Sequence, residues 1–203
     1  MDIKLLFALA FLWLSAAAGI AQPKPMVPSD TVRVRIQTEV GDIDIEVDAK
    51  NAPATAANFL RYVDAGHYDG GRFHRTVKLN PDNQPNNTVK IEVIQVGVDP
   101  NKSKSDFPAI KLERTNATGI LHKNGTISMA RSGPDTATSD FFICIGDQPE
   151  LDFGGKRNAD GQGFAAFGKV VSGMDVVKKI QLSSADGQTL NPPIKIISVK
   201  RIK

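Results

Sequence analysis

Two short runs constrain this chain more than anything else in it. Val32, Val34 and Ile36 alternate with polar residues, and Ile43, Ile45 and Val47 do the same after Glu39-Val40-Gly41-Asp42. A period of two puts each apolar set on one face of an extended strand. The intervening residues read as a turn, so the runs make a hairpin with one buried face. A helix follows. Pro53 suits its first position, Ala56, Phe59, Leu60 and Val63 keep the 3.6-residue period, and Gly66 suits its C-terminal cap. A second short helix is expected from about Met174 to Gln181, with Val176, Val177 and Ile180 on one face. Between the helices lie several short β-type segments separated by Gly, Pro, Asn and Asp. The chain closes on a strand at Ile194-Lys195-Ile196-Ile197-Ser198-Val199. Many short strands with two helices predict a mainly β domain over 31–203, a closed or nearly closed barrel capped by the helices. No internal repeat and no linker to a second domain is visible.

The first residues read as an address. Met1 to Ala21 carries Lys4, then the apolar run Leu5 to Leu14, then small residues ending in Gly19-Ile20-Ala21, a pattern expected of a cleaved signal peptide over 1–21. The apolar stretch is shorter than the ~20 residues needed to span a bilayer. The expectation is therefore export, periplasmic or secreted, with no stable membrane anchor after cleavage. Residues 22–30 hold Pro23, Pro25 and Pro28 and read as an extended Pro-rich leader.

Charge and metal-binding residues narrow the function. The 25 basic and 22 acidic side chains leave only +3, and the cations are not clustered, so no nucleic-acid partner is expected. One cysteine and three scattered histidines cannot build a structural zinc site, and no metal or other cofactor is expected. Cys144 lies in the apolar run Phe141 to Ile145, which predicts a buried, inert thiol. Gly161-Gln162-Gly163-Phe164-Ala165-Ala166 matches a dinucleotide fingerprint, but Phe167 to Val171 reads as a strand where the fingerprint needs a helix. Asn158-Ala159-Asp160-Gly161 imitates part of a calcium loop, yet Lys156 and Phe167 stand where its first and last carboxylates belong. No GxSxG elbow is present from which covalent hydrolysis could start.

The segments that remain form an ordered series. Ala54-Thr55-Ala56-Ala57-Asn58-Phe59 lies on the first helix, and Phe73-His74-Arg75-Thr76 follows the turn Tyr68-Asp69-Gly70-Gly71. Then come Ile94-Gln95-Val96-Gly97, Ser128-Met129-Ala130, Ser139-Asp140-Phe141-Phe142-Ile143, Leu151-Asp152 and Phe164-Ala165-Ala166-Phe167-Gly168-Lys169-Val170. Their order and spacing resemble the cyclophilin-type peptidyl-prolyl cis-trans isomerases, particularly bacterial members with a Gly-Phe-Ala-Ala-Phe-Gly run, over roughly Val32 to Lys203. The resemblance implies a closed eight-stranded antiparallel β-barrel capped by two α-helices. It also implies a shallow groove for proline-containing peptides and unfolded exported proteins. Turning an X-Pro bond requires loss of its partial double-bond character. A catalyst needs an apolar slot for the ring and donors that favour the twisted amide, but no nucleophile, metal or general base.

By the same resemblance, Arg75 is the catalytic residue, its fork of donors gripping the carbonyl and approaching the prolyl nitrogen. Phe142 and Leu151 match walls of the proline pocket, and Gln95 and Ala130 match positions along the peptide backbone. His74 sits beside the groove, Phe164 makes its edge apolar, and His122 falls near the site loop. Three departures stand out. Asp140 takes a position where many members carry glutamine, an acid expected to compete for the donors of Arg75. Glu150 replaces a tryptophan that helps hold cyclosporin, so weak or no cyclosporin binding is expected. Lys78 to Lys90 inserts a polar stretch read as an exposed hairpin or loop over the groove; Val93 then replaces a methionine, and Glu92 or Ile91 a phenylalanine. A proline-peptide binding module that kept the barrel without the catalysis is the competing expectation, motivated by Asp140 and the insertion.

Overall fold

The first hairpin forms as its alternation demands. In a computed structural model that describes residues 30–102 and 107–203, β1 (Thr31–Thr38) pairs antiparallel with β2 (Gly41–Asp48). Val34, Ile36, Ile43, Ile45 and Val47 point inward and are fully buried. The turn is tighter than the four residues expected: Thr38 already faces Gly41, which leaves only Glu39 and Val40 in the loop. Gly41 has φ +138°, and a Cβ there would stand 2.7 Å from Val176 Cγ2, so the close seat of the C-terminal helix on this turn needs glycine. The signal peptide expected over 1–21 and the leader up to residue 29 lie outside the described residues.

Seven more strands follow: β3 (Arg72–Val77), β4 (Val93–Gly97), β5 (Thr126–Met129), β6 (Phe141–Cys144), β7 (Ala165–Ser172), β8 (Ala185–Asp186) and β9 (Thr189–Arg201). The sheet runs β1-β2-β7-β5-β6-β4-β3-β9, and β9 returns to pair with β1. That closes the expected eight-stranded antiparallel barrel and removes its open edges. The two-residue β8 is an added hairpin arm on β9. The last strand starts five residues before the expected Ile194 and runs through Pro192 and Pro193. It can do so because the ladder with β3 passes from Thr189 directly to Ile194, so neither proline has to donate to it.

Helices α1 (Pro53–Asp64) and α3 (Met174–Gln181) cap the barrel, with boundaries close to those read from the sequence. From α1, Ala56, Phe59, Leu60 and Val63 enter the interior, and from α3, Val177 and Ile180 do. Phe59 sits edge-on to Phe141 at 5.3 Å and tilted against Phe167 at 5.2 Å. Truncating a ring in such a place costs about 3–5 kcal/mol. A third helix, the single turn α2 (Thr115–Thr118), was not expected, since four residues hold no readable period. A 3-10 turn spans Pro149–Leu151. No helix among the described residues is long and apolar enough to cross a membrane. The fingerprint-like Gly161 to Ala166 runs straight into β7, so it has no helix to receive a pyrophosphate.

Apolar side chains gather in two places. One cluster fills the barrel. The other lies on the outer surface and comprises Val77, Ile91, Val93, Phe142, Cys144 and Leu151, with Ala130 and Phe164 packed against it.

Candidate active site

Strand alternation produces the outer cluster. On β4, Ile94 and Val96 face the interior while Val93 and Gln95 face out; on β6, Phe141 and Ile143 face in while Phe142 and Cys144 face out. Gln95 stands directly opposite Phe142, and Val93 opposite Cys144. Strand β3 needs a device to join them. Phe73 points inward, so strict alternation would also send Arg75 into the barrel. Instead the ladders to both neighbours shift between Phe73 and Arg75. This bulge at His74 turns Arg75 outward, opposite Gln95.

The result is a pocket of about 260 Å³ lined by Arg75, Ile91, Val93, Gln95, Ala130, Arg131, Phe142, Leu151, Arg157, Asn158 and Phe164. Seven of the nine expected site residues meet there. Its apolar floor is well supported: Phe142 meets Phe164 edge-on at 5.3 Å, and the His122 ring stacks behind it at 6.0 Å. His122 is buried, fixed by Asp152 Oδ1 at 2.7 Å and Ser128 Oγ at 2.9 Å, so it braces the wall rather than lining the pocket. Cys144 is fully buried beneath this floor, and burial pushes its thiol pKa up, as an inert thiol requires.

Arg75 is half-buried, and that burial pulls its pKa below the ordinary arginine value. Its Nε and Nη2 donate to Gln188 Oε1 at 2.9 and 2.6 Å, and its Nη1 donates to Gln95 Oε1 at 3.1 Å. Gln188 is anchored in turn by donating to Asn83 O at 3.0 Å. A guanidinium has five N–H groups; three are used, which leaves two for a ligand.

His74 and Asp140 do not line this pocket. They line the adjoining depression with Arg72, Gly97 and Pro100. Asp140 does not compete for Arg75 as expected. Its Oδ2 accepts from Gln95 Nε2 at 3.1 Å and meets His74 Nε2 at 3.1 Å, so Gln95 stands between acid and arginine. A Cβ on Gly97 would lie 3.2 Å from Asp140 Oδ1 and 3.3 Å from the His74 ring, so glycine makes room for that pair.

The insertion is a mostly exposed loop, as expected, and it is held by contacts of its own. Leu79 bridges Asp82, Lys90 pairs with Asp82, and the fully buried Gln84 holds the backbone of Ile91 through both its amide oxygen and its nitrogen. Of the two candidates for the phenylalanine position, Ile91 lines the pocket. Glu92 turns away and accepts from Gln181 Nε2 and Leu79 N. Glu150 is occupied as well, its Oε2 accepting from Lys156 N at 2.8 Å. Sequence reasoning missed Arg131, Arg157, Asn158 and Gln188. The first follows Ala130 directly and adjacency could have found it; the others sit in loops and turns where no periodicity points to a face.

Comparisons with known proteins agree with this architecture. The family described as cyclophilin type peptidyl-prolyl cis-trans isomerase/CLD matches residues 33–201. A peptidyl-prolyl cis-trans isomerase of Acinetobacter baylyi is 38% identical over 173 residues, covering 82% of this chain and 84% of its own length. Peptidyl-prolyl cis-trans isomerase A of Dickeya dadantii is 36% identical, covering 85% and 84%. Among solved structures, a cyclophilin type isomerase of Cryptosporidium parvum superposes with a TM-score of 0.67 at 23% identity, over 85% of this chain and 98% of its own. A second structure of it, obtained in the presence of the dipeptide Ala-Pro, gives 0.66. With a closed eight-stranded barrel, a family match over nearly all its described residues and bacterial relatives above one-third identity, this chain belongs to the cyclophilin-type peptidyl-prolyl cis-trans isomerases.

Proposed function

We propose that this isomerase turns X-Pro bonds in the pocket beside Arg75 and that its clients are exported proteins. The observation that carries the assignment of the site is a half-buried guanidinium with two uncommitted N–H groups, standing over an apolar floor. Val93, Phe142 and Leu151 receive the pyrrolidine ring, and Ile91, Ala130 and Phe164 complete its walls. Arg75 donates to the carbonyl preceding proline and approaches the prolyl nitrogen. As the amide twists, its lone pair localises on nitrogen and a fixed positive donor is worth more than in the planar ground state. Gln188 and Gln95 hold the guanidinium, so its reorganisation is done before substrate arrives. The Ala-Pro dipeptide used with the Cryptosporidium relative is the kind of ligand this floor suits.

The test is exchange between cis and trans forms of a short Xaa-Pro peptide followed by NMR, with wild type and Arg75→Ala side by side. Wild type accelerates exchange, and the variant loses roughly 10²–10³-fold, as expected for removal of one preorganised donor. Peptide binding without acceleration by wild type sinks the catalytic reading in favour of a binding module. For export, support comes from the apolar run and small residues before Gln22. N-terminal sequencing of protein recovered from the cell envelope or medium should begin at Gln22; intact Met1 in the cytoplasm refutes it.

A further inference from the structure

The pocket is more positive than a proline ring and a neutral amide require. Three arginines line it, and only Arg131 has its charge matched, by two hydrogen bonds to Asp160 at 2.8 and 2.9 Å. Among the described residues, no carboxylate pairs with Arg75 or Arg157, and the pKa of each is lowered by burial, that of Arg157 also by the charge of Arg75. Two guanidiniums facing one pocket without an acid is a costly arrangement in the absence of a ligand.

Arg157 is nevertheless held firmly. Its Nη1 donates to Val89 O at 2.6 Å and to Gln84 Oε1 at 3.2 Å, both neutral oxygens of the inserted stretch. Its backbone N–H donates to Glu150 O. Nε and Nη2 have no acceptor among the described residues. Two loops far apart in sequence thus brace one cation at the pocket wall and leave a pair of N–H donors open on its other edge. That edge has the fork geometry that accepts a carboxylate through two parallel hydrogen bonds. On the adjoining depression Asp140 supplies the opposite sign, so the field across the groove is directional.

Resting on the assignment of this pocket as the proline site, we infer that Arg157 is a specificity-determining residue that selects proline peptides bearing a carboxylate next to the proline. The carboxylate is that of an Asp or Glu side chain or of the peptide C-terminus; the chemistry Arg157 recognises is the same.

A set of short peptides with blocked ends tests this: a neutral parent, versions with Asp or Lys before the proline, versions with Asp or Lys after it, and the parent with a free C-terminus. NMR titration gives affinity and exchange rate on the same samples. At about 50 mM salt, at least one carboxylate-bearing peptide should bind roughly tenfold tighter than its Lys counterpart or the blocked parent. That preference should shrink several-fold at about 500 mM salt. Arg157→Gln should bring it to within about twofold of unity, and Arg157→Lys should keep part of it. Which peptide gains the affinity separates side-chain from terminal carboxylate. A wild-type ratio near one, a preference for Lys, or a preference that survives Arg157→Gln unchanged overturns the inference. Should Arg157→Gln fail to fold, the wild-type ratio, its salt dependence and Arg157→Lys still decide. Failure of the neutral parent to exchange faster, with the carboxylate preference intact, strikes the catalytic assignment and leaves this one standing.

Discussion

The two walls of the pocket are built by different means. Arg75, Val93, Gln95 and Phe142 stand on β3, β4 and β6, where each side chain's place follows from a ladder register. Ala130, Leu151, Arg157 and Phe164 stand on connections, which scattered backbone hydrogen bonds and single side chains reaching backbone atoms fix in place of a ladder. Gln84 holds Ile91, Glu150 holds Lys156, and Arg131 Nε donates to Gly163 O at 2.8 Å. A ladder cannot shift one residue without shifting its neighbours, whereas a loop contact can change alone. The guanidinium proposed to act on the X-Pro bond therefore sits on the strand wall, and Arg157, braced by the inserted stretch, sits on the loop wall.

If that division holds, the largest loss of rate comes from the strand wall at little structural cost. Arg75→Ala should lower kcat/KM by roughly 10²–10³-fold. Its thermal melt should stay near that of wild type, because the substitution removes a desolvated cation rather than packing. A variant that loses both activity and fold together would show that Arg75 holds the wall instead of working from it.

Phe142→Ala tests the same wall for packing. The ring is 5% exposed, stacked on His122 and edge-on to Phe164. Its removal should cost about 3 kcal/mol in a urea melt and raise KM by losing the slot for the ring. A normal KM with a lowered melt would make Phe142 a packing residue of the outer cluster rather than a wall of the slot for the ring.

These expectations track what was legible in the sequence. The barrel was readable because strand alternation is a period, and Val34, Ile36, Ile43 and Ile45 state which face is inside. The hairpin, α1 and α3 follow from period and caps. The bulge at His74 was not readable, since nothing in Phe73-His74-Arg75 shows that two residues oppose one; the outward turn of Arg75 came only through family resemblance. Asp140, which directly precedes β6, was expected to compete for Arg75, and its partners were misjudged because distance across a groove is a tertiary quantity. Gln188 and Arg157 were invisible for the same reason, each meeting its partners across more than 60 residues of chain.

Gln188→Ala joins the walls. It lies in the turn between β8 and β9 and takes two of the three hydrogen bonds that orient Arg75. Losing them should cost about 1.4 kcal/mol of transition-state stabilisation, a tenfold fall in kcat, with KM for a neutral peptide less affected. Equal falls for Gln188→Ala and Gln188→Glu would argue against positioning. A carboxylate at that place still accepts from the guanidinium, so a positioning role predicts a smaller loss for the second variant.

The smallest effect on the neutral reaction should come from the loop wall. Gln84 is fully buried in the inserted stretch, where its oxygen accepts from Ile91 N and from Arg157 Nη1, and its nitrogen donates to Ile91 O and Lys78 O. Gln84→Ala leaves these groups for water to satisfy, at a cost of about 1 kcal/mol if the loop opens locally. Hydrogen exchange at the Ile91 amide should then quicken while the amides of β4 and β6 keep their protection. Exchange of a neutral peptide should fall by no more than about threefold, because the ladder still holds Arg75, Gln95 and Phe142. Loss of protection throughout β4 would show instead that the inserted stretch is part of the barrel's cooperative unit. The two walls would then be one structure, and the freedom of the loop wall to vary independently would disappear.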